Sequence, residues 1–113
     1  MAVQLDEQVR RSVGKALGVL ARHARIAGGF VFGSRVEGLP DEYSDIDLAV
    51  FVVGAEDWDM ARRARTAALV QEEAGDHVEL HFFPAGALEE SEPASFATYI
   101  KKHGVRVPIE AGK

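Results

Sequence analysis

The sequence places two aspartates two positions apart, Asp45 and Asp47, at the head of an otherwise apolar segment. Residues two apart in a β-strand point to the same face, with their Cα atoms roughly 6.6 Å apart. Two carboxylates near a strand end can hold one divalent cation, or two cations about 3.5 to 4 Å apart. Asp45 could instead bind backbone N–H groups of a turn, whereas Asp47 lies further into the strand, where an unpaired carboxylate is costly. The spacing therefore predicts a cation site.

Glu79 is the candidate for a third carboxylate ligand. It alternates with Val78 and Leu80 in a later apolar segment, and it faces the same cleft if that strand lies beside the first one. Oxygen ligands without sulfur favour Mg²⁺ or Mn²⁺ over zinc. Glu79 could also face solvent or pair with an arginine. His81 shares its face and could line the cleft, although a lone histidine is more often a packing residue.

Gly33 and Ser34 provide the second half of the predicted site. Glycine allows close backbone approach, the serine offers a hydroxyl and an N–H, and a helical turn beginning here would direct free N–H groups at an anion. Arg35 could contact the same phosphate, although a Gly-Ser pair is also typical of a simple turn and an arginine of the surface. Carboxylates on one side and N–H donors on the other favour phosphoryl or nucleotidyl transfer.

Three segments have the apolar spacing of three and four residues that is typical of amphipathic helices. These predicted helices cover residues 3–27, 57–75 and 91–104, and the first is expected to end at Gly28 and Gly29. The second and third are expected to begin at caps on Asp57 and Ser91, with Pro93 in the first turn of the third, and to end at Gly75 and Gly104. The arginines at 62, 63 and 65 are interpreted as a solvated helix face.

Apolar segments between these helices predict β-strands. They cover residues 30–32, 46–53 and 77–83, with a short edge strand at 105–107. Both faces of the second segment are apolar, which favours a central strand. This order of elements predicts an α/β or α+β domain with one sheet of three or four strands and helices packed against it.

The chain has 113 residues and a net charge of -5, and it contains no cysteine. Its length predicts one domain over residues 1–113. The negative charge disfavours nucleic acid as a partner, and the lack of cysteine excludes disulfides and thiolate metal sites. Because no uncharged segment approaches the roughly 20 residues of a membrane span and no apolar leader is visible, we expect a cytoplasmic protein.

Taken together, the motifs resemble those of a known family. Gly33-Ser34, Gly38 and the segment SDIDLAV at 44–50 resemble the signature G-S-x-x-x-G followed by S-D-x-D-L of the nucleotidyltransferase superfamily related to DNA polymerase β. The segment VELHFF at 78–83 stands where that family has its third acidic strand. The small size resembles the minimal nucleotidyltransferase domains, abbreviated MNT, that are antitoxin partners of HEPN ribonucleases.

The resemblance implies a mixed sheet and a reaction in which a hydroxyl attacks the α-phosphate of ATP or another nucleoside triphosphate. The catalytic residues and ligands of two Mg²⁺ or Mn²⁺ ions that it implies are Asp45, Asp47 and Glu79. The nucleotide-binding residues that it implies are Gly33, Ser34, Arg35 and Ser44. The acceptor in antitoxin relatives is a tyrosine of the toxin, so a HEPN-type protein is the expected partner, in a homo- or hetero-oligomer.

The chain departs from the family pattern at two positions. Glu37 stands where a basic residue is common, and Glu79 stands where aspartate is common. These departures motivate an alternative, a catalytically inactive module that neutralises a HEPN-type partner by docking. A third hypothesis, a structural domain with no nucleotide, requires the carboxylates to be dispersed in the fold.

Overall fold

The computed structural model describes residues 5–33 and 45–109. The helices in these ranges are α1 (Glu7–Leu20), α2 (Met60–Ala74) and α3 (Phe96–His103). The strands are β1 (Ile26–Phe32), β2 (Ile46–Val52), β3 (Val78–Pro84) and β4 (Val105–Val107). Two short 3₁₀ helices follow β2 and β3, at Ala55–Asp57 and Ala85–Leu88. None of the helices in the described ranges is long and apolar enough to cross a bilayer.

The four strands form one mixed sheet in the order β3-β2-β1-β4. Strand β1 is antiparallel to both β2 and β4, whereas β2 is parallel to β3. A parallel pair needs a long crossover connection, and α2 lies in it. The predicted α+β class, the mixed sheet and the central position of β2 are confirmed, and β4 is the edge strand that the sequence predicted.

The sheet separates two apolar cores. On one face α1 and α2 cover the side chains of β2 at Leu48 and Val50, and on the other face α3 and the second 3₁₀ helix cover Ala49 and Phe51. Phe30 and Phe51 meet edge to face in the second core, with ring centroids 5.8 Å apart. From Leu48 to Val52 both faces of β2 are therefore buried, as the apolar pattern of these residues predicts.

Helix α1 is shorter than the periodicity predicted. Asp6 caps it by accepting a hydrogen bond from the backbone N–H of Val9 at 2.8 Å, and the helix ends at Leu20. The prediction that it continues to residue 27 and stops at the glycines is wrong, because Gly28 lies inside β1. A Cβ on Gly28 would lie 2.9 Å from a methyl group of Leu88, so the glycine permits close packing of the second 3₁₀ helix.

The caps of the later helices differ from the prediction, while their ends agree with it. The cap of α2 is Asp59 and not Asp57, because the buried Trp58 lies between them and the helix begins only after it. The cap of α3 is Ser95 and not Ser91, so Pro93 precedes the helix. The predicted glycine stops are confirmed at Gly75 and Gly104.

Arg63 of α2 is not part of a solvated face. It is half-buried, and its guanidinium group donates hydrogen bonds to the carbonyl oxygens of Ala55 at 3.0 Å, Trp58 at 3.3 Å and Phe82 at 3.0 Å. The interpretation as a solvated arginine is wrong for this residue and confirmed for Arg65, which is exposed. Arg63 therefore joins α2 to the first 3₁₀ helix and to β3.

Candidate active site

Asp47 and Glu79 lie side by side in the sheet. Each is the second residue of its strand, and their Cα atoms are partners in the parallel register of β2 and β3. Paired residues of neighbouring strands project to the same face. That face carries α3, because Ala49, two residues after Asp47, lies in the core under this helix. The structure thus brings together two of the three carboxylates that the sequence singled out.

A histidine joins these two carboxylates. One ligand atom from each of Asp47, Glu79 and His81 lies within 4.8 Å of the others, and we call these three residues the acid–histidine cluster. His81 Nε2 lies 3.2 Å from Asp47 Oδ1. The side chains of Asp47 and His81 are 26% and 29% exposed, and Glu79 is exposed, so the cluster is accessible to a ligand. The sequence signal for His81 was its spacing of two from Glu79.

Aromatic rings support the imidazole of His81. The ring of Phe32 meets it edge to face, with centroids 5.0 Å apart, and Phe96 of α3 packs against Phe32 with centroids 5.4 Å apart. Phe32 is also the β1 partner of Asp47 in the antiparallel register. The packing of α3 therefore helps to fix the orientation of the imidazole beside the carboxylate.

Gly33 closes the cluster on the side of β1. Its φ of 85° lies in the left-handed region, which favours glycine. A Cβ at this position would lie 2.5 Å from Asp47 Oδ2, so the carboxylate occupies the space that a side chain would need. Asp47 therefore directs Oδ1 towards His81 and places Oδ2 where a side chain on Gly33 would stand.

Asp45 does not join the cluster. It is exposed and lies one position before β2, whose first paired residue is Ile46. The ladder of hydrogen bonds therefore orients Asp47 and not Asp45. The predicted nucleotide-binding residues Ser34, Arg35 and Ser44, and the departure at Glu37, lie outside the described residues.

The donor set of the acid–histidine cluster fits a divalent cation. Two carboxylates supply hard oxygen atoms and one imidazole supplies a nitrogen atom, and the partly exposed positions leave room for water or phosphate oxygens. Among the described residues, no ion pair joins Glu79 to an arginine, which was one alternative for this side chain. Asp47 and Glu79 are not dispersed, so the condition for a purely structural domain is not met.

Comparison with known proteins identifies the family. A family model described as a nucleotidyltransferase domain matches residues 13–107, a range that contains the entire sheet. The chain belongs to the nucleotidyltransferase domain family. The resemblance inferred from the motifs is thereby confirmed at the level of this family.

The fold of this nucleotidyltransferase domain also has a solved counterpart. A crystal structure from Sulfolobus solfataricus, of a protein provisionally named as a nucleotidyltransferase, is similar with a TM-score of 0.65 and 16% sequence identity. The similarity covers 91% of this chain and 82% of that chain. At this identity the likeness supports the fold. None of the curated proteins compared with the chain matches it.

Proposed function

We propose that this domain transfers a nucleoside monophosphate, AMP from ATP, to a hydroxyl group of a partner protein. The observation that carries the proposal is the register pairing of Asp47 with Glu79, with Gly33 against the same carboxylate. Membership of the nucleotidyltransferase domain family supports the class of reaction. The resemblance to minimal nucleotidyltransferase antitoxins supports a HEPN-type protein as the acceptor and as the partner in a hetero-oligomer.

In the proposed reaction the oxygen of the acceptor hydroxyl attacks the α-phosphorus of ATP. A new phosphorus–oxygen bond forms, the bond from the α-phosphorus to the bridging oxygen breaks, and pyrophosphate leaves. Glu79, the exposed carboxylate of the pair, would accept the hydroxyl proton. A divalent cation held by Asp47 and Glu79 would supply positive charge next to the triphosphate. Asp45 would be a ligand of the second cation that the resemblance to the family implies.

The backbone at Gly33 would receive the phosphates. Its left-handed conformation turns the chain at the end of β1, directly against Asp47. A triphosphate bound at this turn would therefore lie beside the acid–histidine cluster. Positioning of this kind, together with charge neutralisation, accounts for most of the catalysis in phosphoryl transfer.

A labelling experiment tests the proposal. The purified chain is incubated with ATP labelled at the α-phosphate, a divalent cation and a HEPN-type partner, and label is expected on the partner. Asp47→Asn and Glu79→Gln should each lower the initial rate by about 100-fold or more, since each removes a group that acts on the reacting phosphate. Asp57→Asn, in the first 3₁₀ helix beyond the end of β2, is the matched control. Equal labelling by Asp47→Asn would refute the assignment.

A docking-only module is the second candidate. It is favoured by the position of Asp45 outside the cluster and by the contact with His81, which gives Asp47 a partner without any cation. A docking module would neutralise the partner without ATP, and Asp47→Asn would not impair it. Measuring the activity of the partner with and without ATP therefore separates the two candidates.

A further inference from the structure

The acid–histidine cluster differs from an all-carboxylate site in one donor, the imidazole of His81. We propose that His81 is a direct ligand of the divalent cation and that the cluster therefore prefers Mn²⁺ to Mg²⁺. The proposal deepens the proposed function, on which it rests for the presence of a cation at this site. The residues of this chain would thereby select the class of metal ion that binds.

The distance between the two donor atoms supports direct ligation. Adjacent ligands of an octahedral ion with bonds of about 2.1 Å are separated by about 3 Å. The separation of 3.2 Å between His81 Nε2 and Asp47 Oδ1 is close to that of two such ligands on one ion. Glu79 is exposed, so its longer side chain can turn to bring a carboxylate oxygen to the same ion.

The chemistry of the donors supports the preference. Mg²⁺ takes oxygen ligands and gives up its water reluctantly, so replacing a carboxylate by an imidazole lowers its affinity. Imidazole nitrogen suits first-row transition metals, and manganese is bound by glutamate and histidine together in other protein folds. A set of one aspartate, one glutamate and one histidine is thus better matched to Mn²⁺ than to Mg²⁺.

The packing around His81 supports a preorganised ligand. Its ring lies against Phe32 and is 29% exposed, so the imidazole is held in place while one edge remains open. In the absence of a cation an Nε2–H can donate to Asp47 Oδ1. To bind a cation through Nε2, the neutral imidazole carries its proton on Nδ1 instead. The ring can therefore keep the same position in the cation-free protein and in the protein with a bound cation.

Metal titration of the nucleotide-free protein tests the proposal. Mn²⁺ binding is measured from the electron paramagnetic resonance signal of free Mn²⁺, and Mg²⁺ binding by competition. His81→Ala should weaken Mn²⁺ binding by about 100-fold or more, because loss of an outer-shell partner alone costs about 10- to 100-fold, and Mg²⁺ binding much less. His81→Asp, which restores a carboxylate, should shift the preference towards Mg²⁺. His77→Ala, an exposed histidine just before β3, is the matched control and should change neither.

A spectroscopic signature distinguishes a ligand from a positioning residue. Pulsed electron paramagnetic resonance of Mn²⁺ bound to the unaltered protein should show hyperfine coupling to an imidazole nitrogen, and this coupling should be absent in His81→Ala. Absence of nitrogen coupling in the unaltered protein, or equal losses of affinity for both metals in His81→Ala, would overturn the proposal. The measurement on the unaltered protein remains decisive even if a variant fails to fold.

The failures of the two proposals are distinguishable. The titrations use neither ATP nor a partner, so Mn²⁺ binding through His81 without nucleotidyl transfer would overturn the proposed function alone. Transfer supported by Mg²⁺ as well as by Mn²⁺, with no nitrogen coupling, would overturn the role of His81 alone.

Discussion

At the scale of single residues, the geometry of the site converges on Asp47. Its Oδ1 faces His81 Nε2 at 3.2 Å, and its Oδ2 occupies the space where a Cβ of Gly33 would stand. The carboxylate therefore depends both on the imidazole and on the absence of a side chain at Gly33. The need for a residue without a side chain at position 33 can be tested without measuring nucleotidyl transfer.

Gly33→Ala should impair both the fold and cation binding. Alanine in the left-handed region costs about 1 to 2 kcal/mol, and the new Cβ must also displace the carboxylate of Asp47. Gly54→Ala is the matched control, because Gly54 has almost the same φ, 84° against 85°, and open space around its Cβ position. Chemical denaturation and Mn²⁺ titration of both variants provide the measurement.

The two variants should share the loss of stability due to backbone strain, and only Gly33→Ala should lose affinity for the cation. If Gly33→Ala bound the cation as tightly as Gly54→Ala, the close approach of Gly33 to Asp47 would not contribute to cation binding.

At the scale of elements, the edge of the sheet at β3 is held by hydrogen bonds as well as by apolar packing. Arg63 links α2 to carbonyl oxygens of the first 3₁₀ helix and of β3. Phe82 lies on the edge strand β3 and Ala55 lies in the 3₁₀ helix after β2, and a buried carbonyl group without a donor is costly. A single guanidinium group thus fixes the helix that connects the two acidic strands.

Arg63→Ala should lower the free energy of unfolding by about 2 to 3 kcal/mol, because several hydrogen bonds from a charged donor to partly buried carbonyl groups are lost. Arg63→Lys should retain more of the free energy of unfolding than Arg63→Ala but less than the unaltered protein, since an ammonium group cannot reach three carbonyl oxygens in the fork geometry of arginine. Arg65→Ala, on the exposed side of the same helix, should change stability little. Urea denaturation measures all three, and equal effects at both arginines would contradict the role of Arg63.

At the scale of the whole molecule, the binding of a cation should be coupled to stability. The cluster collects two carboxylates on a chain that already has a net charge of -5, and a cation relieves their repulsion only in the folded state. A ligand that binds only the folded state stabilises it by about 2.7 kcal/mol at a concentration 100 times its Kd.

Thermal unfolding with Mn²⁺ and ATP together should therefore give a higher Tm than unfolding without ligands. The rise should be absent in the double variant Asp47→Asn plus Glu79→Gln and retained in Asp57→Asn. If no divalent cation, with or without ATP, raised the Tm of the unaltered protein, the enzyme proposal would fail and the docking-only module would be favoured.

Periodicity and composition explain why the class of the fold could be predicted. The apolar pattern of β2 from Leu48 to Val52 and the glycine stops at Gly75 and Gly104 act locally, so the sequence shows them directly. The errors have a different origin. Gly28 was interpreted as the end of a helix, but it lies in β1, where it pairs with Phe51 of β2, a residue distant in the chain. The cap of α2 was misplaced because the buried Trp58 lies between Asp57 and the helix, which begins only after it.

The sequence by itself determined the family signature, the α+β class and the candidates Asp47, Glu79 and Gly33. Glycine turns and strand alternation depend on residues that are adjacent in the chain, so the sequence shows them. Only the tertiary structure decided that β2 and β3 are parallel neighbours in the register that pairs Asp47 with Glu79. It also placed His81 within the cluster and Asp45 outside it. Register depends on contacts between segments far apart in the chain, and a shift of one residue would turn the acidic side chains to opposite faces.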